Sequence, residues 1–492
     1  MYHSRLAFAL AMAALAAILL PSPLPAQITF QRTYGGPNSD AGSEVRQTTD
    51  GGYIVAGSTS SFGAGSSDFY LIKSDTNGDT MWTRTFGGRL YDQGGSVVPT
   101  TDGGYIITGV ADSLGAGDYD VYLIKTDADG DTLWTRTYGG DTCDWGMSVR
   151  QTDDSGYIIT GSTWSYGAGL YDLYLVRLSV SGDTLWTRTY GGAGGDEGYS
   201  VQQTSDGGFI IAGNTWSYGA GSADVYLVMT DAFGDTSWTR TYGGAEWDEG
   251  CSVQPTSDGG YIVTGTTNSF GAGGSDVYLI KTDSSGDTLW TKTFGGADND
   301  RGSSVQQTTD SGYIIAGYTS SFGAGGDVYL IKTNANGDTQ WTRTFGGGEG
   351  DGASSVQQTF DGGYVVAGGT SSFGAGESDV YLIKTDSMGN VAVSVAEPRT
   401  GPTRAPALSL CCEPNPFRTR TAISLQLTAD SPAELAIFDA SGRCVRTLTV
   451  NRAPCTVWDG KDELGQPLPS GAYFARLDAA GQHASTRIVL QR

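Results

Sequence analysis

Histidine is nearly missing from this chain. Of 492 residues only His3 and His483 carry an imidazole, and both fall outside the repeated body of the sequence. That body therefore holds no Ser-His-Asp machinery and no imidazole metal ligand. Its two cysteines, Cys143 and Cys251, stand in non-adjacent repeats, which removes thiolate metal sites and leaves both expected to be unpaired. Basic residues are scarce as well: 29 Lys and Arg against 53 Asp and Glu give a formal charge of −24. Such a balance disfavours nucleic acid or an anionic membrane surface as partner. No glycine-rich loop runs into Lys and Ser/Thr at phosphate-binding spacing. After Leu20 no apolar run is long enough to cross a bilayer as a helix. No catalytic residue, cofactor or metal is assigned from the sequence.

What the chain has in abundance is glycine (75) and aromatic residues, including 26 Tyr and 11 Trp, with only 17% of residues charged. This profile suits many short strands joined by tight turns. The N-terminus is different. A basic start (Met1-Tyr-His-Ser-Arg5) precedes an apolar run from Leu6 to Leu20, then prolines and Ala26. Residues 1–26 thus read as a secretory signal peptide cleaved near Ala26; the alternative, a membrane anchor, wants a longer run without prolines at its end. A secreted or outer-surface location follows. The oxidising environment permits disulfides among Cys411, Cys412, Cys444 and Cys455.

Thr-(Phe/Tyr)-Gly-Gly begins at Thr33, Thr85, Thr137, Thr189, Thr241, Thr293 and Thr344, at spacings of 52 five times and then 51. A period of that size indicates a propeller or solenoid. Within one unit, Ser252–Thr256, Tyr261–Gly265, Asp276–Lys281 and Thr288–Phe294 read as four antiparallel strands separated by turn sequences, which is one propeller blade. The first copy supplies only a fourth strand, Ile28–Tyr34, and the last copy lacks one. The sequence therefore predicts an all-β fold, with a closed seven-bladed β-propeller over 27–396. The last blade is completed by the N-terminal strand, or alternatively by Val391–Val395.

Residues 397–406 form a proline-rich linker. Beyond it, Pro414-Asn-Pro-Phe417, Ala433–Arg443, Val457-Trp-Asp-Gly460 and Leu468–Phe474 occur in order. Together with the ending Thr486–Arg492, they resemble the C-terminal immunoglobulin-like domain shared by type IX secretion cargo (type A sorting) and the flagellar hook-capping protein. The resemblance implies that 407–492 is a small β-sandwich that engages the secretion machinery, for export or surface attachment. A plain spacer domain is the other reading.

Two aspartate series recur in every blade, one seven residues after each Thr of the motif (Asp40 to Asp351) and one opening each third strand (Asp68 to Asp379). They are either a ring of carboxylates round the central opening or, favoured here, acceptors that hold turns together. The turn Asp127-Ala-Asp-Gly-Asp131 lacks the Gly and Glu positions of a calcium loop. It sits where sialidase-type propellers carry an Asp-box, but its spacing to Trp134 resembles the Gly-x-x-x-Trp blade motif of quinoprotein propellers, a structural device. Trp82 and its counterparts share a strand face with a base two residues on, and read as packing between blades.

The better binding candidates break the repeat. Trp145, Trp164, Trp216 and Trp247 occur in loop positions of blades three to five where other copies have no Trp, and exposed loop aromatics suit a glycan or protein ligand. The body contains only six Glu in its described repeats (Glu44, Glu197, Glu246, Glu249, Glu349 and Glu377), and they form no pair visible in sequence. The expected function is an exported or surface-displayed, non-enzymatic binding, adhesion or structural module. The alternative is a polysaccharide lyase or hydrolase working through acidic residues on the propeller face.

Overall fold

The structure is a computed structural model. It describes residues 27–112 and 114–391, and in the C-terminal region 409–413, 417, 419–426, 433–439, 443–449, 455–479 and 482–491. The signal-peptide and linker readings lie outside the described residues. The chain divides into two units, Met1–Arg399 and Thr400–Arg492, and every regular element described is a strand.

The first unit consists of seven four-stranded antiparallel sheets. In blade five, Asp248–Pro255, Tyr261–Thr267, Asp276–Thr282 and Thr288–Phe294 pair in order. The first strand thus begins four residues earlier than the sequence pattern indicates, and a bulge between Gly250 and Ser252 shifts its register. The order of burial explains the ring. Second and third strands are buried along nearly their whole length, whereas the fourth alternates between exposed and half-buried positions. Buried Val, Ile, Leu and Tyr from neighbouring sheets form one apolar cluster at each of seven interfaces, so no blade buries its own faces alone.

Closure is made by the N-terminal strand. Phe30–Tyr34 pairs antiparallel with Asp379–Thr385 of the last blade, in register from Phe30 opposite Lys384 to Tyr34 opposite Val380. Phe30 is buried and packs edge-on to Tyr53 of blade one, 5.8 Å between ring centres. It stands where the other outer strands carry Trp, whose rings meet the next blade's aromatic at about the same distance (Trp82 to Tyr105, 6.0 Å). The Trp also explains a turn glycine. Gly130 has φ +78°, and a Cβ there would lie 2.7 Å from Trp82.

The second unit has a three-stranded sheet and a four-stranded sheet. Phe417, Ile423, Leu435, Ile437, Trp458 and Leu477 are among the buried residues of its core. Trp458 donates its indole N–H to the Lys461 carbonyl at 3.0 Å, and Tyr473 donates its hydroxyl to the Pro469 carbonyl at 2.8 Å. The latter is the corner bond common in immunoglobulin-like sandwiches. Cys444 is exposed and free, so the pairing open to it in sequence is not made, and Cys143 and Cys251 are free as expected. The side chains of Cys411, Cys412 and Cys455 lie outside the described residues.

Truncating the closing strand's anchor tests the ring. Phe30→Ala should lower the unfolding free energy of the first unit by about 3–5 kcal/mol, while Ile28→Ala, at a residue already exposed, should change it by less than about 0.5 kcal/mol. Urea unfolding followed by Trp fluorescence measures both; equal effects would mean that the strand contributes little to closure.

Candidate functional site

Most recurring polar residues are occupied with holding blades together. Asp144, in the first series, is buried, and its Oδ2 accepts the Gly140 N–H at 2.8 Å and the Ser165 hydroxyl at 2.6 Å. Five other blades repeat this pair of bonds. Asp172, in the second series, accepts the N–H groups of Ala168 and Gly169. These carboxylates are turn acceptors inside the blade interfaces and do not ring the central opening. Burial, with the neighbouring first-series carboxylate adding to it, raises the acids of Asp120, Asp276 and Asp327. The outer Trp and its base are spent likewise: Arg84 stacks on Trp82 at 5.3 Å and reaches Asp131 of the next blade at 3.0 Å. Asp127 Oδ1 accepts the N–H groups of Asp129 and Asp131, closing its turn on itself.

The first strands pack against one another round the ring axis and line a cavity of about 110 Å³ that is open to solvent. Asp144-Trp-Gly-Met-Ser-Val-Arg-Gln151 shows which positions face it. The fourth, fifth and seventh residues line the cavity, the bulge after the third having turned the fifth inward. Alternation places the second residue on the same side, nearer the loop end. The fifth position forms a girdle. Ser96 Oγ accepts the Val149 N–H of the next blade, Ser200 that of Val253, Ser252 that of Val305, Ser304 that of Val356 and Ser355 that of Val45, at 3.2–3.4 Å. In blade one the residue is Glu44, which accepts Val97 N–H at 3.0 Å.

Glu44 replaces the serine that the other six copies carry. Arg46 and Arg150 converge on its Oε1, Arg150 at 3.2 Å, and Ser96 donates to its other oxygen. Burial pushes the Glu44 carboxyl up, but Arg150, Arg46 and the Ser96 hydrogen bond outweigh it and hold the group down at about 2. Burial also draws Arg150 down to about 10, so it stays charged at neutral pH.

The second position varies from blade to blade, with only one residue type used twice: Ala41, Gln93, Trp145, Glu197, Glu249, Arg301 and Gly352. Trp145 therefore lies in a strand at the channel mouth, whereas the sequence reading put it in a loop. From it an aromatic strip crosses blades two to four. Tyr91, Tyr119, Trp145, Trp164, Tyr171 and Trp216 follow one another with ring centres 6.4, 6.1, 6.4, 4.5 and 6.2 Å apart. Trp164 and Trp216 are each 40% exposed, and the Trp145 Nε1–H is buried without an acceptor. Three of the four candidate tryptophans thus belong to one surface. Trp247 shares no ring contact with them; its place in the fold is a bridge to Ala223 at the entry to blade five.

Beside the strip, Tyr199 donates to Glu197 and accepts from Asn214 at 3.4 Å, while Asn214 accepts the Gly250 N–H at 3.1 Å. Burial raises the Glu197 carboxyl against the Tyr199 bond. It raises Glu249 too, with Arg301 opposing and Glu197 reinforcing. The two acids, unpaired in sequence, occupy the same position in neighbouring blades and interact electrostatically. Tyr91, Tyr119 and Tyr171 were also absent from the sequence candidates. Comparing the copies column by column along the first strand is the signal that finds the mouth residues.

Residues 415–482 match the family described as the FlgD Ig-like domain. The C-terminal unit is therefore immunoglobulin-like and follows a repeat region. The chain is similar to the regulatory protein FlaEY of Caulobacter vibrioides, 28% identical over 244 residues; the match covers 42% of this chain and 24% of that protein. The chain thus spans about a quarter of that relative's length. Among solved structures, it is similar to PorZ, an essential surface component of the type-IX secretion system of Porphyromonas gingivalis (12% identity, TM-score 0.40, 93% of this chain and 60% of that one). It is also similar to puromycin hydrolase (12%, TM-score 0.46, 80% and 58%) and to Sqt1 of Chaetomium thermophilum (11%, TM-score 0.42, 75% and 88%). Likeness at this level carries no functional inference.

The Glu44 cluster makes a pH-dependent contribution. The ordinary Glu value is 4.5 and the folded one about 2. The stability it gives is therefore present above pH 4.5 and lost as pH falls through 2. Glu44→Gln should be less stable than the native chain by roughly 2 kcal/mol at pH 7, and the gap should narrow between pH 4.5 and 2. Urea titrations across that range check it; a gap independent of pH would refute the assignment.

Proposed function

We propose that this chain is an exported or surface-displayed, non-enzymatic propeller that binds a glycan or protein ligand through the aromatic strip at its channel mouth. The observation that carries this is the strip itself. Elsewhere aromatic rings recur blade by blade and are consumed in packing; here six rings from three blades make one irregular surface with exposed Trp at its end. The flat C–H faces of a sugar ring suit the electron-rich faces of Trp and Tyr. The buried, acceptor-less N–H of Trp145 suits a ligand hydroxyl or carbonyl. The acidic chain favours a neutral or basic ligand over a polyanion.

The C-terminal domain is proposed to serve secretion or surface attachment through the secretion machinery. The sequence motifs of residues 414–492 and the signal-like residues 1–26 support that reading. A second reading, a polysaccharide-active enzyme, is favoured by one observation: Glu197 and Glu249 stand at the same position of neighbouring blades and interact electrostatically, and burial raises both carboxyls, as a general acid requires.

Binding to a glycan array by the chain from Gln27 onward should be saturable, and Trp164→Ala or Trp216→Ala should each weaken it at least about tenfold. Binding indifferent to both would exclude the strip. Release of reducing ends or unsaturated sugars, lost in Glu197→Gln and Glu249→Gln, would replace the binding reading with the enzymatic one. Fractionation of cells expressing the chain with and without residues 407–492 tests sorting. Truncation should leave the propeller in the periplasm, and unchanged surface delivery would reject a sorting role.

A further inference from the structure

The axial cavity is built unlike the mouth above it. Its wall is the serine girdle, and the hydroxyl oxygens of that girdle are already acceptors for the valine N–H groups of the next blade. Each hydroxyl proton must then be donated elsewhere. Ser96 gives its proton to Glu44. Among the described residues, the serines at 200, 252, 304 and 355 have no protein acceptor for theirs, and Ser148, only 4% exposed, has no partner.

The charged residues add to the same imbalance. Arg46 and Arg150 line the cavity and share one carboxylate, and the Nε–H of each is buried without an acceptor. Two guanidinium groups against Glu44 leave one positive charge in this layer. Gln202 and Gln254, the amides lining the same space, supply donors along with their acceptors. Tyr199 and Cys251 also line it, but each is already hydrogen-bonded to a carboxylate, Glu197 and Glu249 respectively, and adds no free donor. Donors therefore outnumber acceptors, in a space with room for a small guest: a cavity of 150 Å³ accommodates benzene.

We infer that the axial cavity is a binding site for a small oxyanion, held by Arg46, Arg150 and the inward hydroxyls of the serine girdle. An oxyanion offers acceptors only, which is what the wall lacks, and a guanidinium fork matches its geometry. Glu44 competes for the same arginines, so it sets the affinity. This site is independent of the aromatic strip and stands whether or not a glycan binds there.

Calorimetric titration of the chain from Gln27 onward with sodium sulfate, phosphate or acetate, at ionic strength matched by sodium chloride, tests it. One saturable site per chain is expected for at least one of these anions. A preference for sulfate or phosphate identifies a free tetrahedral oxyanion as the guest, and a preference for acetate a carboxylate. Arg150→Gln should weaken binding at least tenfold and Ser148→Ala a few-fold, whereas Glu44→Gln should tighten it about tenfold by freeing both arginines. Should Arg150→Gln not fold, the opposed effects of Ser148→Ala and Glu44→Gln carry the test. No saturation above the chloride control would overturn the proposal. So would binding unmoved by Glu44→Gln, or weakened by it.

Discussion

Closure of the ring by one five-residue strand is the constraint on which the rest depends. Each sheet is apolar on both faces and is stable only between two neighbours. An open array would leave two such faces in water, and the third strand of the last blade would present an unpaired edge. Pairing Phe30–Tyr34 with Asp379–Thr385 removes the edge and seats the Phe30 ring in the interface with blade one. It also joins the two ends of the repeat region. Sequence separations of several hundred residues become nearest-neighbour contacts, as where Val45 N–H meets Ser355 Oγ.

Closure then decides which residues are free for function. A four-stranded blade has one strand at the axis, two buried in the sheet and one at the rim. The buried pair must stay apolar, and the rim strand must keep the Trp that packs on the next blade and the base that stacks on it. The first-series aspartates are committed to their turns. What remains is the axial face of the first strand and the loop that follows the second. The copies disagree there, as they do in the loop before the first strand: Ala41, Gln93, Trp145, Glu197, Glu249, Arg301 and Gly352 share one column, and Ser43, Gly95, Met147, Tyr199, Cys251, Ser303 and Ser354 another. Repetition explains the scaffold, and its failures gather where a ligand can be reached.

The fold was legible because its signals are local and repeated. A fixed period, four strand patterns per unit and complementary incomplete ends lead to a closed ring without any contact being known. The site was legible only in part. Trp164 and Trp216 declare themselves by replacing Ser in a loop, and three of the four chosen tryptophans do lie on one surface. Trp145 was misassigned because the first strand starts four residues before its apolar pattern does, its opening residues being polar or glycine. Glu44 and Arg150 are 106 residues apart in different blades, and nothing local joins them. Their meeting follows from two facts that sequence patterns do not display, the curvature that brings blades one and three together at the axis and the bulge that turns the fifth residue inward. Glu197 and Glu249, one repeat apart, were overlooked for the same reason.

The axis also shows how a strongly acidic chain can hold a basic centre. A net charge of −24 acts on distant ions through solvent, where salt damps it within about 8–10 Å. Inside the girdle little solvent separates Arg46, Arg150 and Glu44, and their interaction is decided by contact distances and by burial. Most surface acids are in any case paired or bonded: Asp131 to Arg84, Asp102 to Lys125, Asp154 to Arg177. The mouth and the cavity can therefore have opposite tendencies only a strand's length apart. Raised carboxyls beside aromatic rings favour an uncharged partner at the mouth, and arginines backed by hydroxyl donors favour an anion deeper in. The two sites differ because the second, fourth, fifth and seventh positions of one strand face the same axis at successive depths, and each depth carries its own seven residues.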